Sequence, residues 1–197
     1  MGKREYKCTA ATRETLYRAI IELAKEKEYD KITIRDICSK AEVSIGSFYH
    51  HFHSKEELAI QAYYRVDRLI NEDFCEMEKK YTAEESLHLI LRSYITYVSN
   101  EIGMLVRVYY KLIMDETSVS AFDPDRLYYK TLLKVLQACG EEKSIEERED
   151  YHELTEYCIR FIRGLIFDWS LQKGNYDLVE RFEKDYRLFI NGLKQHN

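Results

Sequence analysis

An all-α fold of about nine helices is expected from three observations. Breakers are scarce: one proline and seven glycines in 197 residues leave long uninterrupted stretches. Apolar residues recur at spacings of three and four along the chain, and no stretch of any length alternates as a strand would. Helix-opening pairs, Thr33 with Asp36 and Ser54 with Glu57, stand where periodic stretches begin. Hydrophobic residues make up 45% and charged residues 33%, a balance that suits a packed core and argues against disorder. No apolar run approaches the length of a membrane span, and the N-terminal residues lack a signal-peptide core, so a cytoplasmic protein is expected. The cysteines (Cys8, Cys38, Cys75, Cys139, Cys158) follow no disulfide or metal-ligand spacing and are expected as free thiols.

Residues 1–11 are expected to form a loose basic arm, where Lys3, Arg4 and Lys7 can meet phosphates. Residues 12–27 make a first helix with Leu16, Ala19, Ile20 and Leu23 on its inner face. Thr33 opens a second helix carrying Ile37 and Ala41. Glu42 and Val43 turn the chain, and Ser44 caps a short third helix carrying Phe48 and Phe52. Ile32, Ile34, Ile37, Val43, Phe48 and Phe52 would close a three-helix core. From Ser54 a long helix runs to about residue 81, with Leu58, Ala62, Val66, Leu69, Phe74 and Met77 inward. Helices over 83–101 and 104–116 are parted by Gly103, and 117–123 is a loop. Pro124 is expected as the first residue of the next helix and Gly140 as its stop. Two last helices cover 147–173, ended by Gly174, and 177–194.

The second and third helices and their turn carry the most specific signal. Outside the apolar stripe of the third helix lie Ser44, Ile45, Gly46, Ser47, Tyr49 and His50. They are small, hydroxylic or hydrogen-bonding, as a helix seated in the major groove of DNA requires. The run T-x-x-x-I-x-x-x-A-x-V-S-x-G-x-F-Y-x-H-F-x-S-K-E-E-L, from Thr33 to Leu58, resembles the helix-turn-helix of TetR-family transcriptional regulators. The resemblance implies a DNA-binding domain over residues 1–54 and a helical ligand-binding and dimerisation domain over 55–197. It implies DNA contact by Thr33, Ser44, Ile45, Gly46, Ser47, Tyr49, His50 and Lys55. Thr33 and Lys55 would hold phosphate at helix N-termini, while His51 matches a packing histidine. Glu42 departs from the family, which often has glycine at that turn.

Net charge is −5, but it is unevenly spread: residues 1–70 carry 13 basic and 11 acidic side chains, and 71–197 carry 17 and 24. The small basic excess coincides with the helix-turn-helix, so affinity should rest on a few phosphate contacts plus dimer symmetry. The last two helices are too apolar to cover their own domain alone. A symmetric homodimer through a four-helix bundle is therefore expected, with Phe161, Leu165, Phe182, Tyr186 and Phe189 at the interface. It would set two reading helices on a near-palindromic double-stranded operator.

Large side chains with polar tips suit a cavity for an amphipathic or aromatic small molecule: Tyr94, Tyr97, Met104, Arg107, Tyr110, Met114, Phe161 and Trp169 are the candidate lining. The resemblance implies a repressor that such an effector releases from its operator, the long fourth helix carrying the displacement. The alternative is a DNA-bound structural or interaction factor without an effector. No nucleophile, phosphate-loop or dinucleotide motif points to an enzyme or a cofactor, and the histidines at 50, 51 and 53 do not have the geometry of a metal site.

Overall fold

The computed structural model describes residues 3–77, 79–115 and 123–194. Within them the chain is helical and contains no strand. The order is α1 (Lys3–Glu26), a 3₁₀ turn (Tyr29–Lys31), α2 (Ile34–Lys40), α3 (Ile45–His51), α4 (Lys55–Met77), α5 (Ala83–Tyr97), a π turn (Val98–Ile102), α6 (Leu105–Asp115), α7 (Leu127–Glu141), α8 (His152–Leu171) and α9 (Leu178–Leu193). The side chains of Lys3, Arg4, Lys7, Cys8, Cys75 and Met77, and residues 116–122 of the expected loop, lie outside the described residues.

Residues 1–64 and 101–117 cluster as one compact unit, and 65–100 with 118–197 as another. In the first, α1 packs on α2 and α2 on α3. Leu16, Ile20, Ile32, Ile37, Phe48, Phe52 and Leu58 are fully buried, while Ile34 and Val43 stay half-buried. Tyr17 meets Phe52 edge-on at 5.6 Å. α6 joins this unit through aromatic contacts: Tyr109 stacks on Tyr63 at 3.7 Å, and its hydroxyl donates to that of Tyr64. The N-terminal arm is helical from Lys3 onward. No proline or glycine stands between Lys3 and Glu26 to stop the helix, so it extends nine residues before the expected start at Thr12.

In the second unit α5 packs on α7, α8 and α9, and α8 bridges α7 and α9. Thr82 and Glu85 form a capping box for α5, and Asp177 caps α9. Three boundaries differ from expectation. Pro124 lies in a turn ahead of α7, where Asp123 accepts from the Asp125 amide at 2.9 Å and delays the helix to Leu127. Gly140 lies inside α7 and is not its stop. A Cβ there would collide with the hydroxyl of Tyr151 and stand 2.8 Å from its Cζ, so glycine admits a ring. α8 starts at His152, because the preceding segment is pinned: Ile145 is buried and the Glu146 amide donates to Leu193 O. Gly103 and Gly174 do take positive φ at the expected breaks.

Candidate nucleic-acid interface

Local hydrogen bonds set the geometry of α2, the turn and α3. Thr33 Oγ1 accepts from the Asp36 amide at 3.1 Å, and Asp36 Oδ2 accepts from the Thr33 amide and hydroxyl, each at 2.8 Å. Lys27 also donates to that carboxylate at 2.9 Å. The Lys27 bond first, then those of Thr33, hold the Asp36 carboxyl down to about 2. Thr33 therefore has its amide and hydroxyl engaged by Asp36. Lys40 ties α2 back to α1 through Glu22 and Glu26.

Glu42 takes φ 55 at the turn, the left-handed conformation that a β-carbon disfavours by about 1 kcal/mol. The Val43 amide then donates to Cys38 O, and Ser44 Oγ accepts from the Ser47 amide at 3.0 Å to start α3. Phe48 and Phe52 anchor α3 in the core. That orientation leaves Ser44, Ile45, Gly46, Tyr49 and His50 in solvent and Ser47 half-buried, with Ile45 44% and Tyr49 55% exposed. A Cβ at Gly46 would meet only Ser44 Oγ, at an ordinary 3.8 Å. Packing and backbone thus leave room for a side chain at that position.

His51 is half-buried, and burial, then His50 and Arg13, push its pKa down, so it packs as a neutral ring. His53 pairs with Glu57 instead. Ser54 caps α4 as expected, but Glu57 accepts from the His53 amide at 2.7 Å, so the reciprocal half of the capping box goes to His53. No metal-binding group of side chains forms among the described residues. The Lys55 ammonium donates to Ile32 O at 3.0 Å and Tyr29 O at 3.3 Å, and lies 4.5 Å from the Tyr29 ring centre. It ties the α1–α2 connection to the start of α4 and is not extended into solvent. Arg35 was not singled out from the sequence. It is exposed on the first turn of α2 and has no ion-pair or hydrogen-bond partner among the described residues. Its place two residues after the Thr33 cap is the signal that could have found it.

The eight effector candidates are divided between the two units. In the first unit, Tyr110 is buried and Met104 half-buried, but Arg107 is exposed and Met114 is 69% exposed. α6 turns Tyr109 and Tyr110 inward, which leaves Arg107 and Met114 in solvent. In the second unit, Tyr94, Tyr97 and Trp169 are buried. Trp169 donates to Tyr176 O at 3.0 Å, and Phe161 stacks on Phe189 at 4.5 Å. Tyr94 lies 4.5 Å from the ring of Tyr128, whose buried hydroxyl has no partner among the described residues. Beside the tyrosines, Arg126 grips Asp67 with two bonds of 2.7 and 2.9 Å, and both side chains are largely buried. Asp67 and Arg126 are 59 residues apart, so no local pattern joins them.

The expected dimer residues need a similar correction. Phe182, Tyr186 and Phe189 are buried within the protomer, because α9 turns its apolar stripe toward α5 and α8. Phe161 and Leu165 are half-buried. The exposed apolar side chains of the pair are Tyr157, Phe167 and Leu171 on α8 and Leu188, 76% exposed, on α9.

Comparison with known proteins places this geometry in context. Residues 16–62 match the family described as bacterial regulatory proteins, tetR family. The probable acrEF/envCD operon repressor of Escherichia coli K12 is 24% identical over 190 residues, covering 92% of this chain and 86% of that protein. The transcriptional regulator FadR from Bacillus subtilis, solved in complex with stearoyl-CoA, superposes with a TM-score of 0.66 at 18% identity, covering 91% of this chain and 98% of that one. A TetR transcriptional regulator from Streptomyces coelicolor gives a TM-score of 0.62 at 16% identity, covering 94% and 99%. At such identities the solved structures attest the fold. The matched segment spans the capped helices and their outward face, so residues 16–62 of this chain belong to the tetR family of bacterial regulatory proteins.

Proposed function

We propose that this protein is a sequence-specific DNA-binding repressor that works as a homodimer and leaves its operator when a small molecule occupies its helical bundle. The observation that carries the DNA half is the outward face of α3. It exposes Ser44, Ile45, Tyr49 and His50 around a glycine that the protein's own packing does not require. Gly46 is explained by close approach of a DNA backbone, and Tyr49 and His50 by reach toward phosphates and base edges. Residues 1–54 carry this role. Thr33 and Lys55 contribute through the helix N-termini they stand at, and Arg35 adds a cation to the same side. Residues 55–197 serve ligand binding and dimerisation.

Repression is supported by the E. coli relative, named as an operon repressor, and an effector by the B. subtilis structure, which holds stearoyl-CoA. Within this chain the Tyr128 hydroxyl beside Tyr94, buried with no hydrogen-bond partner among the described residues, is the polar group that an interior effector would satisfy. The exposed apolar residues of α8 and α9 supply the dimer face, with Gly164 and Gly192 letting backbones approach. The dimer would place its two α3 helices about 34 Å apart, one turn of DNA. No described helix is long and apolar enough to cross a membrane, and a cytoplasmic location follows from the need to reach DNA. No catalytic step is part of this function.

The test begins with DNA fragments selected from a random pool on the purified protein. Specific retardation of a near-palindrome is expected, lost in Tyr49→Ala/His50→Ala and unchanged in Glu149→Ala, a change at an exposed residue outside both faces. Stearoyl-CoA is the first effector to add. Retention of operator specificity by the double variant, or a solution mass of one chain, overturns the reading.

A further inference from the structure

Much of the positive charge around the helix-turn-helix is already engaged within the protein. Lys27 pairs with Asp36 at 2.9 Å, Lys31 with Glu28 at 2.8 Å, and Lys40 with Glu22 and Glu26. Lys55 is turned onto the carbonyls of Tyr29 and Ile32. Arg13 donates to the Tyr17 hydroxyl at 3.1 Å and lies 5.0 Å from the centre of the Phe52 ring. A duplex, by contrast, presents a dense row of phosphates. A reading surface with so little spare charge gains affinity from a cation that forms on contact.

The last turn of α3 carries two adjacent histidines in different surroundings. His51 is half-buried, and burial, then His50 and Arg13, keep it neutral. His50 is exposed, with its ring 5.0 Å from that of His51. None of the neighbouring elements supplies it with a carboxylate. α1 brings a cation, Arg13, to act on His51. On α2, Asp36 is held by Lys27 and Thr33, and Lys40 is tied back to α1. At the start of α4, Glu57 is taken by the amide and ring of His53. His50 itself has no ion-pair or hydrogen-bond partner among the described residues. A proton on His50 therefore finds its counter-charge outside the protein, and a phosphate oxygen within reach supplies it.

We propose that His50 is a protonation-dependent DNA anchor: operator binding takes up a proton on its imidazole, which then donates to a phosphate oxygen of the duplex. Histidine is the side chain whose charge ordinarily changes between about pH 5 and 8, so the added cation is conditional on pH. Because the phosphate favours the charged form, the contribution is complete at low pH and lost as pH rises. His51, kept neutral, leaves the change to His50. This inference rests on α3 being the helix that meets DNA.

Calorimetry of the full chain with a selected operator at pH 7, in phosphate and in Tris, counts the protons taken up. Roughly half a proton or more per protomer is expected, and affinity should fall at least about tenfold from pH 6 to 8. His50→Gln keeps a donor without a charge. It should take up no proton, bind with one affinity across that range, and at pH 6 show a salt slope shallower by about 0.9 per protomer. His50→Arg carries a permanent charge. It should be equally insensitive to pH and bind more tightly than His50→Gln at pH 8. His53→Gln, at the residue paired with Glu57, should keep the proton count of the parent. Specific binding without proton uptake, uptake that survives His50→Gln, or uptake lost in His53→Gln overturns this inference alone. Absence of specific binding overturns it together with the repressor reading.

Discussion

The α2–α3 pair and the α7–α9 layer reach a defined geometry by opposite means. α2 and α3 have seven residues each, and their ends are set by bonds three residues apart: Thr33 with Asp36, Ser44 with Ser47. Two phenylalanines then hold α3 in one rotation. The α7–α9 layer is positioned by partners distant in sequence: Arg126 on Asp67, Tyr151 against Gly140, and Glu183 with His88 and Arg92. Short-range bonding gives a small reading surface little freedom, as a site that must match DNA requires. Long-range bonding leaves the arrangement of the layer to the sum of its contacts, which suits a region that answers to a ligand.

The sharpest way to break the layer is Asp67→Ala, which removes the bidentate carboxylate from a largely buried guanidinium and should cost about 3 kcal/mol in chemical denaturation. Replacing both partners, Asp67→Leu/Arg126→Met, should recover most of it. Gly140→Ala should cost about 1–3 kcal/mol, because the new Cβ displaces the Tyr151 ring that occupies its place. Gly46→Ala sharpens the contrast between the two glycines. It should leave stability level or raise it by about 0.5–1 kcal/mol, since the helix gains and nothing clashes, while operator affinity falls in a gel shift. Glu42→Gly should stabilise by up to about 1 kcal/mol through relief of the left-handed turn, read from the denaturation midpoint. The smallest effect is a pH dependence. The Asp36 carboxyl is held down to about 2 from 3.8, so its contribution is complete above pH 4 and lost as pH falls toward 2. Asp36→Asn should flatten acid unfolding within that window and nowhere else.

How much could be anticipated follows the same division. The Thr33 box, the Ser44 cap and the burial of Phe48 and Phe52 were all legible, because each depends on residues within about one helical turn. Gly140 looked like a stop, because a glycine late in a helix usually is one. Only the ring of Tyr151, eleven residues on, explains it. Lys55 looked free to hold phosphate, yet the carbonyls it bonds belong to Tyr29 and Ile32, on a connection folded back beside it. Phe182, Tyr186 and Phe189 formed a correct apolar stripe with the wrong partner assigned.

Away from the N-terminal arm and the ends of α7 and α8, periodicity, caps and breakers therefore settled which stretches are helical, which face of each helix is apolar and which short helix shows a small polar surface. They could do so because those properties rest on contacts spanning three or four residues. Folding alone paired Asp67 with Arg126, turned the α9 stripe inward, and exposed Arg107 and Met114. An apolar or charged face specifies the kind of surface it needs, and only the packed chain selects which surface it meets.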